Sequence, residues 1–173
     1  NLIKSTFYDM FGDPVTNEKG WKVVKYSDIL TDKTKNGFFA KNDVYCEDGN
    51  AEVIWISDFI DKMYCDLSNL KKVNATEQDI KNYEVAYGDL LFCRSSLTKA
   101  GIGKCSYVPK DIRENTLFEC HIIRTKVDLD KVNPTFLQVQ TTTDYFRNQI
   151  MARSKTSTMT TIGQAGIVKN MII

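Results

Sequence analysis

"GDLLFCRSSLTKAGIGKCSYV", residues 88–108, decides how the chain is read. Leu90-Leu91-Phe92 is a short apolar run of the kind a buried strand needs. It leads directly into Arg94-Ser95-Ser96, and glycines follow at 101 and 103 before Lys104. Two strands, near 89–94 and 104–108, therefore bracket a polar turn, and a third strand is expected near 118–125.

Working outward, "AEVIWISDFI" (51–60) reads as another strand. "GWKVVKYSDIL" (20–30) alternates like one before a helical turn begun by Ser27 or Asp28. Thr76-Glu77 can start a short helix through "EQDIKNY", and Asn133-Pro134 starts another, because proline is tolerated in a first helical turn. "PTFLQVQTTTDYFRNQI" then places Phe136, Leu137, Val139, Tyr145, Phe146 and Ile150 on roughly one side. Residues 31–50 are polar and punctuated by glycine, which predicts a long exposed loop, and loops of that length are usually functional.

At the start, Leu2, Ile3, Thr6, Phe7, Met10 and Phe11 recur at helical spacing, and Gly12-Asp13-Pro14 stops the helix. So short and so apolar a helix reads as the end of a longer one, or as one docked on a partner. The predicted fold is mixed α/β (α+β): a twisted, largely antiparallel sheet with flanking helices, preceded by the end of that longer helix. With 173 residues and neither internal repeat nor linker, one such domain is the economical reading.

The totals exclude several classes. Hydrophobic content of 42% and charged content of 26% are globular values, which speaks against disorder. No apolar run approaches the eighteen or so residues of a membrane span, and "NLIKSTFYDMFGDP" lacks a secretory pattern, so a soluble, cytoplasmic chain is expected. Five cysteines form no CxxC pair, and their odd number argues against a disulfide framework. The one histidine, His121, adjoins Cys120 on an expected strand; adjacent strand residues face opposite sides, so no metal site is expected.

Net charge of +1 hides an asymmetry. Residues 1–86 carry 11 Lys and Arg against 15 Asp and Glu; residues 87–173 carry 12 against 7, a hint of a polyanionic partner for the second half.

Catalytic motifs do not hold up. Ser96-Leu97-Thr98-Lys99 matches S-x-x-K, but the S-D-N and K-T-G elements that complete such a site do not occur. "AGIGKC" lacks the first glycine of a phosphate loop, and Cys105 stands where its Ser or Thr belongs. "NPTF" (133–136) departs from the N-P-P-[FY] of adenine methyltransferases at Thr135, and a helix start explains it better. The reading is therefore no catalytic residues. Binding remains: "RSKTSTMTT" (153–161) offers Arg153, Ser154, Lys155, Thr156 and Thr158 among six hydroxyl side chains and two cations, the groups to which phosphate oxygens bond. The opening stretch supplies a second set, Arg94, Ser95, Ser96, Thr98, Lys99 and Lys104.

Taken in order, four segments resemble a known family. "FYDMFGDPVTNEKGWKVVKYSDI" is similar to the junction between the conserved helix and a recognition domain in specificity subunits of type I restriction–modification systems. "VIWISDFI" is similar to that family's tryptophan-containing strand, and "YGDLLFCRSSLTKAGIGKCSYV" to its G-D-[IL]-[LV]-F, Arg/Ser-rich turn and I-G-K. "NPTFLQVQTTTDYFRNQI" with "SKTSTMTTIGQAGIVKNMII" resembles its late helix, Thr/Gly-rich loop and closing segment. The match runs over essentially the whole chain.

The resemblance implies a non-catalytic chain that reads one half of a split double-stranded DNA target. Residues 1–12 would be the end of the conserved spacer helix, and 13–173 the target-recognition domain. Leu2, Ile3, Phe7, Met10 and Phe11 would pack on a partner helix outside the chain. Partners implied are DNA, methyltransferase subunits using S-adenosylmethionine, a restriction and motor subunit using ATP and Mg²⁺, and a second recognition domain or a second copy; the chain itself would carry no cofactor. Two departures stand out: the closing loop is "SKTSTMTT" without the family's usual Gly-Ser/Thr pair, and "TDKTKNGFFAKND" lacks G-x-[ST]-P, which bears on Asn36 and Lys41 as contacts. The competing reading is a protein-interaction module docking through the apolar helix, with the basic half merely solvated; salt separates the two, since only DNA binding weakens steeply with it.

Overall fold

The computed structural model describes residues 2–39 and 44–173. The chain begins with α1 (Leu2–Phe11), β1 (Val24–Lys25), a 3-10 turn (Tyr26–Ile29) and β2 (Lys35–Asn36). It continues through β3 (Ala51–Ile54), α2 (Ile56–Phe59), β4 (Lys71–Val73) and α3 (Glu77–Tyr83). Next come β5 (Leu90–Cys93), β6 (Ser95–Ser96), a 3-10 turn (Lys99–Gly101), β7 (Cys105–Tyr107), β8 (Thr116–Phe118) and β9 (Ile122–Thr125). It closes with α4 (Pro134–Thr141), α5 (Asp144–Arg153), β10 (Lys155–Thr156), β11 (Thr160–Thr161), α6 (Gln164–Val168) and β12 (Met171–Ile172).

The opening stretch forms the centre. β5 pairs antiparallel with β7 and β9, and β2 joins the far side of β9, giving the order β2-β9-β5-β7. Alternation along β5 splits its side chains between two cores. Leu90 and Phe92 pack with Leu137, Phe146 and Ile150 of α4 and α5. Leu91 and Cys93 pack with Ile54, Phe59 and Phe118 on the other side. Burial on both faces explains why Leu90-Leu91-Phe92 is continuous rather than alternating.

The mixed α/β class is as expected, and antiparallel pairing predominates, divided among the described residues into four small sheets. β4-β3-β8 contains the one parallel pairing among the named strands, Val53 opposite Leu117. β1 pairs with β12, and β10-β11-β6 forms the remaining sheet. Local signals hold where capping chemistry sets them. Gly12, at φ +77, ends α1; Thr76 caps α3 by accepting from the Asp79 N–H; Asn133 caps α4 by accepting from the Thr135 and Phe136 N–H groups.

Four expectations are corrected. The 51–60 strand ends at Ile54, and Ile56–Phe59 turns helical because the Asp58 carboxylate accepts from the Trp55 N–H. The 118–125 strand is two strands, β8 and β9, joined by a turn at Cys120-His121. The helix from Pro134 breaks after Thr141, where the Thr143 hydroxyl accepts from the Phe146 N–H and starts α5. The 31–50 loop is not wholly exposed: it contributes β2, and Phe38 packs against Val53, Val73 and Leu117.

α1 lies on α4. Phe7 is buried, its ring 5.5 Å from that of Phe136, and Phe11 meets the same ring edge-on at 4.8 Å. The Trp21 indole N–H donates to the Phe11 carbonyl. Phe7 and Phe11 are thus covered within the chain, whereas Leu2 (82%) and Met10 (59%) remain exposed, with Ile3 at 45%.

Candidate functional site

The sheet β10-β11-β6 unites the two polar segments that lie some sixty residues apart in sequence. Lys155 stands opposite Thr161 and Thr156 opposite Thr160; Thr160 then faces Ser96, and Thr161 faces Ser95. The Ile162 N–H donates to the Arg94 carbonyl at 3.0 Å, which extends the pairing by one step. At the tip, the Ser157 N–H closes on the Met159 carbonyl, leaving Lys155, Thr156, Ser157 and Thr158 exposed. Inside the ribbon, the hydroxyls of Thr156 and the buried Thr160 lie 3.1 Å apart.

Each flank is held by the main chain. Arg153 ends α5, exposed, with Nη1 donating to the Gln149 carbonyl; the half-buried Ser154 hydroxyl donates to the Met151 carbonyl. On the β6 side the Arg94 Nη1 donates to the Cys120 carbonyl and its N–H to the His121 carbonyl. The Ser96 hydroxyl accepts from the Thr98 N–H, and Lys99 projects from the exposed turn beside it. Gly101 leaves room there for the Ser96 hydroxyl, which a Cβ at 101 would displace.

A third segment joins through Gln164 at the start of α6. Its side-chain carbonyl accepts from the Thr34 hydroxyl at 2.7 Å, and its amide donates to the Asn36 Oδ1 at 3.2 Å. Asn36 is therefore tied to the segment that follows β11. Lys104 is placed elsewhere: its ammonium pairs with Asp61 in a cavity lined also by Lys4 of α1 and Arg147 of α5. Lys41 lies outside the described residues.

Sequence reasoning missed several residues here. Thr34 and Gln164 sit in unremarkable polar contexts, and only the fold brings them together. Leu97 (81%) and Phe39 (73%) are exposed apolar side chains beside β6 and β2. An isolated apolar residue inside a polar turn is the one signal that marks Leu97.

Among the described residues, Arg94, Lys99, Arg153 and Lys155 are in no ion pair with a carboxylate, in contrast to Lys104. Cations left without internal counter-charges favour an anionic ligand.

No family model matches the chain. The Type I restriction enzyme EcoKI specificity subunit of Escherichia coli (strain K12) is 25% identical over 147 residues, covering 85% of this chain and 30% of that protein. This chain resembles about one domain of a type I specificity subunit. A chain solved in work on complex assembly and conformational transition of the type I R-M system superposes with a TM-score of 0.63 at 14% identity, over 99% of this chain and 38% of its own. The type I restriction-modification S subunit from M. genitalium gives 0.52 at 10% identity, over 88% and 33%. The chain thus spans about a third of the length of these specificity-subunit relatives.

Within this specificity-subunit-like fold the titratable groups divide by burial. Desolvation raises the Cys93 thiol to about 11 and the Cys105 thiol to about 12, and pushes Cys65 up as well, so these thiols are poor nucleophiles. Asp89, almost fully buried, is raised to about 6 by the same cause, against the pull of the Ala86 N–H and the Arg124 charge. Arg124 is lowered by burial; its Nη1 reaches the Glu84 carbonyl, and its guanidinium lies 5.3 Å from the centre of the Phe118 ring. One turn differs from expectation. Cys120 and His121 do not face apart on a strand, and Cys120 Sγ lies 3.5 Å from His121 Nδ1.

Proposed function

We propose that the chain is a DNA target-recognition domain, residues 13–173, that reads one half of a bipartite double-stranded target for a type I restriction–modification complex. The observation that carries this reading is the sheet β10-β11-β6, where two hydroxyl-rich, cationic segments pair and the outer hairpin is exposed from Lys155 to Thr158. Its edge hairpin β10-β11 is a two-stranded β-ribbon, an element that the major groove of B-DNA admits. Arg153, Lys155, Thr156 and Thr158 on one side, with Ser154, and Arg94, Ser95, Ser96 and Lys99 on the other, are the proposed contacts. Asn36 and Lys41 complete the proposed contacts, and the exposed Leu97 is a candidate for apolar contact with a thymine methyl group. Lys104 contributes less than these, because Asp61 already neutralises it.

The reading assigns no catalysis and no cofactor to this chain. S-adenosylmethionine belongs to the methyltransferase partners, ATP and Mg²⁺ to the restriction and motor partner. Residues 1–12 are the end of the spacer helix, whose exposed Leu2 and Met10 pack on a second helix while Phe7 and Phe11 anchor it to α4.

The test is selection from a random duplex library at low salt, with the Arg153→Ala/Lys155→Ala double variant run beside the parent chain. Enrichment of one short motif, lost in the variant, is expected. No enrichment, together with equal low-salt binding by both proteins, overturns the reading in favour of an interaction module.

A further inference from the structure

The side chains of the turn between β8 and β9 have no role in the reading above, where only its carbonyls hold Arg94, yet they gather three donors of different chemistry. Glu119 Oε2, Cys120 Sγ and His121 Nδ1 all lie within 4.8 Å of one another. Oε2 to Nδ1 is 2.9 Å and Sγ to Nδ1 is 3.5 Å. Consecutive residues achieve this because the backbone turns: the Glu119 carboxylate reaches over to accept the His121 N–H at 2.8 Å.

The Glu119 side chain is only 5% exposed, and a buried carboxylate needs a compensating charge. Among the described residues its ion-pair partner is His121 alone, an imidazole that carries charge only when protonated. His121 itself is 52% exposed, so the cluster has a buried anionic floor and an open mouth.

We propose that Glu119, Cys120 and His121 form a three-ligand site for a divalent cation of zinc type. The mixed O, S and N donor set suits Zn²⁺, whereas Mg²⁺ and Ca²⁺ take oxygen ligands. Tetrahedral geometry with Zn–S of about 2.3 Å and Zn–N of about 2.05 Å separates sulfur from nitrogen by about 3.6 Å, against the 3.5 Å present here. The carboxylate oxygen and Nδ1 would separate to about 3.4 Å, about half an ångström beyond the 2.9 Å of their hydrogen bond. Cys120 binds as the thiolate and its proton goes to solvent, while the proton shared by His121 Nδ1 and Glu119 Oε2 moves to His121 Nε2 so that Nδ1 can ligate; no electron is transferred. The fourth position stays open to water or to an external donor.

The site is coupled to its surroundings through the backbone. The Cys120 and His121 carbonyls both receive Arg94, and the Gly37 and Phe38 N–H groups donate to the Ile122 and Phe118 carbonyls on either side. A bound cation would therefore fix the turn from which Arg94 is held.

Cobalt titration of the full, tag-free chain tests this without DNA, so it stands or falls apart from the proposed function. One equivalent of Co²⁺ should give a sulfur-to-cobalt charge-transfer band that Zn²⁺ abolishes by displacement. Cys120→Ser should remove the band, His121→Ala should weaken cobalt affinity by at least about tenfold, and Cys46→Ser should leave both unchanged. Both target side chains lie in an open turn, and circular dichroism checks that the variants fold. No band with Co²⁺ in excess, a band that survives Cys120→Ser or disappears with Cys46→Ser, or an affinity indifferent to His121→Ala overturns the site.

Discussion

Replacing Asp89 by asparagine should stabilise this protein at neutral pH and leave it unchanged in acid. Asp89 opens the central stretch; its carboxylate is 4% exposed and accepts the Ala86 N–H at 3.0 Å, a bond that an asparagine carbonyl can keep. Burial raises its pKa from 3.8 to about 6, more than Arg124 and Lys126 lower it. A raised carboxyl pKa means that the folded chain holds this proton more tightly than the unfolded chain does. Between about pH 4 and 6 the folded state therefore binds more protons, and stability from this group falls as pH rises through that window. Above the folded pKa the full cost is present, about 3 kcal/mol at 1.36 kcal/mol per pKa unit. Asp89→Asn removes the titration, so its stability should match the parent near pH 4 and exceed it by up to about 3 kcal/mol at pH 7.5. Urea denaturation of both proteins across this range reads the difference directly, and contributions of other groups cancel. A difference that does not change with pH would refute the assignment of a raised pKa to Asp89.

If Arg153 and Lys155 meet phosphates, alanine at each should flatten the slope of log affinity against log salt by about 0.9, and by about 1.8 together; Lys104→Ala should change it less, which fluorescence anisotropy at several salt concentrations will read. Gly37→Ala would drive its Cβ into the Phe118 and Glu119 backbone, which cannot swing aside as a side chain can, so a loss of about 1–3 kcal/mol is expected by thermal denaturation. Thr143→Ala removes the buried cap of α5 and should cost about 1–2 kcal/mol, with Thr143→Ser restoring most of it.

What was legible in the sequence was local. Thr76, Asn133 and Gly12 announce helix ends because a side chain or a positive φ acts within a few residues, and each acts where expected. The doubled core around β5 was half visible, since an unbroken apolar run signals burial without saying against what. The failures share a cause. Leu117-Phe118 and Ile122-Ile123 flank Glu119-Cys120-His121, a turn that contains neither glycine nor proline, so the sequence predicts one strand where there are two. Thr141-Thr142-Thr143 interrupts no hydrophobic pattern, yet the Thr143 hydroxyl restarts the helix. The pairing of Ser95-Ser96 with Thr160-Thr161 could not be read at all: both segments were recognised by composition, but register between distant strands is set by the packed body beneath them.

One feature bears on how such a domain could be moved between proteins. β1 and β12 pair, Val24 beside Ile172 and Lys25 beside Met171, so the stretch entering the body from α1 and the stretch leaving it run side by side. A module whose entrance and exit share one edge can be grafted into a host as a single plug, without long connecting segments and without threading through its own core. Exchange of the roughly 145 residues between those two strands would then have to keep the paired edge and the ring contacts of α1 with Phe136. The antiparallel pair acts as a clasp that closes the stretch between Lys25 and Met171 into one loop.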